Sequence, residues 1–131
     1  MKFNLKSLTA VAVAFCSISA FAAQPVYLTT HNNTDVESNA FVDGNIPSPY
    51  PTAANSTRKI AWNMVRIACF GHTSNGKCSA MVKMATNTPN PVNLGFVSME
   101  LDSGDISPKV MSANGYTLTV NGPGEVTLTK D

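Results

Sequence analysis

From residue 62 to residue 84 the chain reads WNMVRIACFGHTSNGKCSAMVKM, two runs of alternating apolar and polar positions around a polar, glycine-containing tip. Period-two alternation marks a half-buried strand, and two such runs about a tip predict a β-hairpin. Val65, Ile67 and Cys69 fall on one face, and Cys78, Ala80, Val82 and Met84 continue it on the returning strand. Directly opposed strand residues lie within disulfide reach, so Cys69 and Cys78 are expected to be bonded across the hairpin. Asn75-Gly76 is also a two-residue turn signal, but a hairpin centred there sets Cys69 opposite Val82. The expected tip is therefore longer, a type I turn through residues 72–75 with Gly76 left-handed.

Elsewhere the alternation recurs in short stretches. Residues 26–30, 36–42, 92–101, 106–111, 116–120 and 125–130 read as strands, and residues 31–35, 102–105, 112–115 and 121–124 as turn clusters. In the 92–101 run, Leu94 and Phe96 fall out of step with Val97, Met99 and Leu101, which predicts a bulge near Gly95. Val126 and Leu128 are expected to face inward between threonines. Residues 43–57 break the period: with Pro47, Pro49 and Pro51 they read as an extended loop. Residues 52–59 are the one place left for a helical turn. Seven or eight short strands with no helix of ten residues predict an all-β fold, a small single-domain antiparallel β-sandwich of immunoglobulin-like type with one hairpin disulfide. Trp62, seven positions before Cys69, resembles the Trp-plus-disulfide core of antibody domains, but a bridge inside one hairpin cannot join two sheets.

Charge and cysteine usage place this domain outside the cytoplasm. Lys2 and Lys6 precede an apolar run over residues 8–14, and Ala20-Phe21-Ala22 has the small–x–small form of a signal-peptidase site. Residues 1–22 are read as a signal peptide and residues 23–131 as one exported domain, periplasmic or secreted. The apolar run is short and broken by Cys16, Ser17 and Ser19, unlike a retained membrane helix. Phe15 before Cys16 argues against a lipidated cysteine. An even pair of cysteines in an exported chain suits one structural disulfide. Residues 23–131 carry seven Lys/Arg against eight Asp/Glu with no basic run, so no nucleic-acid partner is expected. Nor is stable membrane insertion expected after cleavage, and the chain reads as a monomer or weak oligomer.

Candidate chemistry is sparse. His72 adjoins Thr73 and Ser74, but neighbours on a tight turn rarely face one another, and no G-x-S-x-G elbow accompanies them. His31, Asp35 and Glu37 lie about one turn cluster, and Asp102 and Asp105 about another, without metal-ligand spacing. Asn32 and Asn55 head glycosylation sequons. No catalytic set, metal site or cofactor is expected. The distinctive feature is Tyr50 between Pro49 and Pro51: a stiff loop offers its ring as a pre-ordered contact, or folds it over an edge of the core. The leading function is a non-catalytic binding module that recognises a protein or glycan through its loops, with Tyr50, Pro49, Pro51 and His72 as contact residues. The alternatives are an envelope subunit that assembles by strand addition through residues 125–130, and a small secreted hydrolase.

Overall fold

The computed structural model describes residues 23–131, so the signal-peptide reading of residues 1–22 lies outside the described residues. Eleven strands and one helix follow in the order β1 (Tyr27–Asn33), β2 (Ser38–Val42), β3 (Ile46–Pro47), β4 (Ser56–Ala61), α1 (Trp62–Cys69), β5 (Thr73–Ser74), β6 (Lys77–Met84), β7 (Val92–Glu100), β8 (Ile106–Ser107), β9 (Val110–Ala113), β10 (Tyr116–Gly122) and β11 (Glu125–Lys130). Only β3, β5 and β8 are two-residue ladders, which leaves eight longer strands. They form two sheets packed as a sandwich, in the orders β4-β1-β11-β10-β9 and β3-β2-β6-β7-β8, with β5 also on β6. All pairs are antiparallel except β1 with β11.

The core is the layer where the two inner faces meet. Val42, Val82, Met84, Leu94, Met99 and Ile106 from one sheet bury against Leu118, Val126 and Leu128 from the other. Val126 and Leu128 face inward as the alternation requires. The bulge is where the pattern placed it: Val82 pairs with Gly95 and Lys83 with Asn93, leaving Leu94 as the extra residue. A Cβ on Gly95 would stand 2.9 Å from Met111 Sδ, so the missing side chain lets β7 and β9 close that side of the sandwich.

The structure corrects the expected long hairpin. Residues 62–69 are helix, not strand: α1 buries Trp62, Val65 and Cys69, while Ile67, which alternation turns inward, is 65% exposed. The reason is competition for an edge. β6 pairs with β7 on one side, and β2 takes most of the other through Ser38↔Met84 to Val42↔Ala80. Only Cys78 and Lys77 are left for a local partner, and β5 fills that space. The hairpin then turns at Asn75-Gly76, whose φ angles of 54° and 74° suit the two-residue type I′ turn. Gly76 is left-handed as expected, but the tip is the short one.

That arrangement reconciles the turn with the disulfide. Cys69 reaches Cys78 from the helix end rather than from an opposed strand, with a Cα–Cα distance of 5.9 Å. The bond therefore ties α1, which continues directly from β4 of one sheet, to β6 of the other. It does span the layers, contrary to the expectation for a hairpin staple. Replacing both cysteines with alanine is expected to cost about 3 kcal/mol on a chain-entropy account of so short a loop, read as a lower urea midpoint with a native-like far-ultraviolet spectrum. An unchanged midpoint contradicts it.

Two smaller corrections follow the same logic. Residues 31–33 continue β1 instead of turning, because β4 and β11 flank them on both sides. Residues 56–59 are strand, not helical turn, since Ser56 to Ala61 pair along the free edge of β1.

Candidate functional site

The proline-rich loop does not project from the sandwich; it is fastened along β2. Ser48 N–H donates to Ala40 O at 2.8 Å, Asn39 Nδ2 donates to Ser48 O at 2.8 Å, and Thr52 and Ser38 exchange two backbone bonds of 2.8 and 2.9 Å. Between these fixed points the Tyr50 N–H donates to Ser48 Oγ at 3.0 Å. Proline has no donor to give a ladder, which accounts for this edge being pinned at intervals rather than continuously.

Tyr50 is half-buried and turned toward the gap between the sheet edges β3 and β4. There the sandwich holds an apolar cavity of about 130 Å³, walled by Ala40 and Ala80 from one sheet, Ile60 and Val126 from the other, and Val65 and Ala68 from α1. A smaller space of about 80 Å³ adjoins it under the loop and also has Tyr50 in its wall. Tyr50 and Met64 both line the larger cavity and both keep exposed surface, so it reaches solvent between them. Arg58 on β4 crosses this mouth: its Nη1 donates to Pro51 O at 2.8 Å, and its guanidinium lies 5.4 Å from the centre of the Tyr50 ring. Among the described residues Arg58 has no carboxylate partner.

The other sequence candidates are dispersed. Pro49 is exposed, and Pro51 contributes the carbonyl that Arg58 holds. His72 lies outside the cavity wall; its Nδ1 is 2.7 Å from Asp43 Oδ2. That pairing follows from β2 and β5 sharing one edge of β6, which sets the end of one beside the start of the other. Asp35 approaches Lys130 at 3.6 Å, and Glu37 accepts from Thr86 Oγ1 at 2.7 Å, so neither joins His31. Asp102 pairs with Arg66 at 3.0 Å and Asp105 with Lys109, so those carboxylates also turn to different cations. Among the described residues no three His, Cys, Asp or Glu side chains gather as metal ligands. Asn32 is fully buried and cannot serve as a glycan acceptor, whereas Asn55 is exposed.

One polar chain escaped the sequence. His31 Nδ1 lies 3.0 Å from Thr57 Oγ1 and its Nε2 lies 2.6 Å from Glu125 Oε2. A hydroxyl, an imidazole and a carboxylate in line is the order of a nucleophilic relay. Here it lies on the outer face of the sheet, across β4, β1 and β11, whose backbone donors serve the ladder rather than an oxyanion. None of the three side chains lines either of the two cavities described above. Arg58 also escaped notice, although its spacing of two from Ile60 in a strand sets both on one face. The relay could not be read, because 94 positions separate His31 from Glu125.

Strand β11 lies between β1 and β10, with both edges paired, so the terminal strand has no free edge to offer a neighbour. The edges of the same sheet are β9, a four-residue strand, and β4, which carries Arg58 and Lys59. Charged side chains on an edge oppose pairing with another chain.

A family model described as the type II secretion system substrate NttC matches residues 1–131. The crystal structure of the type II secretion system substrate NttC of Legionella pneumophila is similar to this chain at 61% sequence identity and a TM-score of 0.81, covering 82% of this chain and 99% of that one. No match was found among curated proteins.

Proposed function

We propose that this chain, which belongs to the family of the type II secretion system substrate NttC, is a secreted binding module without chemistry of its own, and that its working surface is the mouth between the proline-rich loop and β4. Membership of that family carries export across the envelope. The observation that carries the binding reading is Tyr50, held by a pinned loop over an apolar space with Arg58, which has no carboxylate partner among the described residues, at its rim. A ring that is already ordered loses little entropy on contact, and tyrosine and arginine are the side chains that most often dominate binding energy. The ligand class is a protein or glycan at the rim, and His72, engaged with Asp43, stands apart from it.

The test is a glycan array and a panel of immobilised purified surface proteins, probed with the wild type and then with Tyr50→Ala. The substitution is expected to weaken a captured ligand by about 1–3 kcal/mol. Because the ring is half-buried against Arg58, folding stability should fall by no more than about 1 kcal/mol. Asn90→Ala, on an exposed turn, serves as control. Unaltered affinity together with a large stability loss assigns Tyr50 to the core and removes the mouth as the binding surface.

A further inference from the structure

We propose that the cavity behind Tyr50 takes the aliphatic tail of a free medium-chain carboxylate, with the carboxylate held at the rim by Arg58; this rests on the reading of the mouth as the binding surface. The wall sets the chemistry of the tail. Ala40, Ala80, Ile60, Val65, Ala68 and Val126 present only carbon to the space, no charged side chain lines it, and its hydroxyl-bearing residues are Thr30, Ser48 and Tyr50. A polar group taken inside would find few partners to replace its hydrogen bonds to water. The volume sets the length. At about 130 Å³ the space is close to the apolar cavity of about 150 Å³ known to stay dry and accept benzene, so it holds about six carbon atoms.

The rim sets the head. Arg58 uses Nη1 on Pro51 O, which leaves further N–H donors and a full positive charge facing the place where a chain leaves the cavity. Its lack of a carboxylate partner among the described residues is what an anionic head would supply. Two small side chains explain why the space exists. Ala40 and Ala80 occupy inward positions on β2 and β6, pairing with Val82 and Val42, where larger residues would fill the layer. The disulfide closes the inner end, since Cys69 and Cys78 both line the cavity and hold α1 across it.

Calorimetric titration of the folded protein with sodium butanoate, hexanoate, octanoate and decanoate tests this, with octanol as the uncharged comparison. Saturable one-to-one binding is expected, tightening about fourfold per methylene until the chain fills the cavity and levelling thereafter. Arg58→Gln should weaken octanoate about three- to fivefold and leave octanol unchanged. Ala80→Leu should abolish binding by occupying the space; if that variant does not fold, Ala68→Leu fills it from the helix side. Absence of saturable octanoate binding at millimolar concentration, or binding that survives a folded cavity-filled variant, overturns the inference. The reading of the mouth is separable. If carboxylates fail to bind yet Tyr50→Ala loses an array ligand, only the cavity inference falls. If octanoate binds and Tyr50→Ala alters neither its affinity nor that of any array ligand, the cavity stands and the role given to the loop falls.

Discussion

Replacing Asn32 with alanine is expected to lower folding stability by about 3–5 kcal/mol, the largest effect of any polar substitution in this domain. Asn32 is wholly buried, and its amide nitrogen serves three carbonyls: Val36 O at 2.8 Å, Thr52 O at 3.2 Å and Ala53 O at 3.2 Å. Its Oδ1 accepts from Thr34 N at 3.1 Å and from Thr34 Oγ1 at 2.7 Å. One side chain thus joins the end of β1, the turn into β2 and the end of the proline-rich loop. Alanine deletes all five of these hydrogen bonds, each worth about 0.5–1.5 kcal/mol net, and leaves the Thr34 N–H without an acceptor, whereas Val36 O, Thr52 O and Ala53 O keep Thr34 Oγ1, Ser38 N and Ser56 Oγ as donors. Part of the loss is recovered where water can enter. Asn32→Asp is expected to be nearly as harmful, because a carboxylate sets acceptor oxygens against three carbonyl oxygens. Urea unfolding with an unchanged slope is the measurement, and a loss under about 1 kcal/mol would show that water replaces the amide freely. Thr34→Val should cost less, since the hydroxyl bonds only within this knot.

Trp62→Ala is expected to cost about 3–5 kcal/mol, through the cavity left by an indole that is 2% exposed. The consequence for α1 is the informative part. The helix has eight residues, no side-chain cap and no acidic residue in its first turn, so its own propensity is insufficient to form it in water. Tertiary contacts hold it: Trp62 Nε1 donates to Leu101 O at 2.9 Å, Arg66 Nη2 donates to the same oxygen at 3.0 Å, and the disulfide fixes the far end. Trp62→Phe keeps much of the apolar area and leaves Leu101 O one donor, so about 1–2 kcal/mol is expected. Combining it with Arg66→Ala removes both donors and should cost more than the two single changes together. Additive losses in that cycle contradict the shared-carbonyl account. Faster exchange of the α1 amides than of the β10 and β11 amides in Trp62→Ala is the second readout.

The strands that were legible in the sequence are those whose partners are near in sequence or whose alternation is strict. β10 and β11 meet across the two residues Pro123 and Gly124, and Leu118, Val126 and Leu128 lie where period two puts them. The Gly95 bulge was legible because the inward set visibly changes parity there. The disulfide was legible from export and cysteine count alone, and its pairing does not depend on the hairpin first used to argue it. Tyr50 was legible as a feature, though not its place over a cavity.

What the sequence by itself determined is the period-two patterning that makes the chain a β-sandwich, the one disulfide, and a proline-rich segment unable to continue a ladder. What only the tertiary structure decided is which segment of the chain takes each sheet edge. β2 took the edge of β6 that residues 65–69 would have needed, and a segment carrying Val65, Ile67 and Cys69 satisfies either a strand face or a short helix until that edge is assigned. The same assignment opened the mouth. It set Arg58 of β4 across from Tyr50 of the neighbouring loop, and it set His31 between Thr57 and Glu125, which lie 26 and 94 positions away, contacts that no local pattern encodes. Local periodicity reports how a residue's neighbours along the chain are spaced; an edge is won by the partner that buries more, and that comparison exists only when the whole chain is folded.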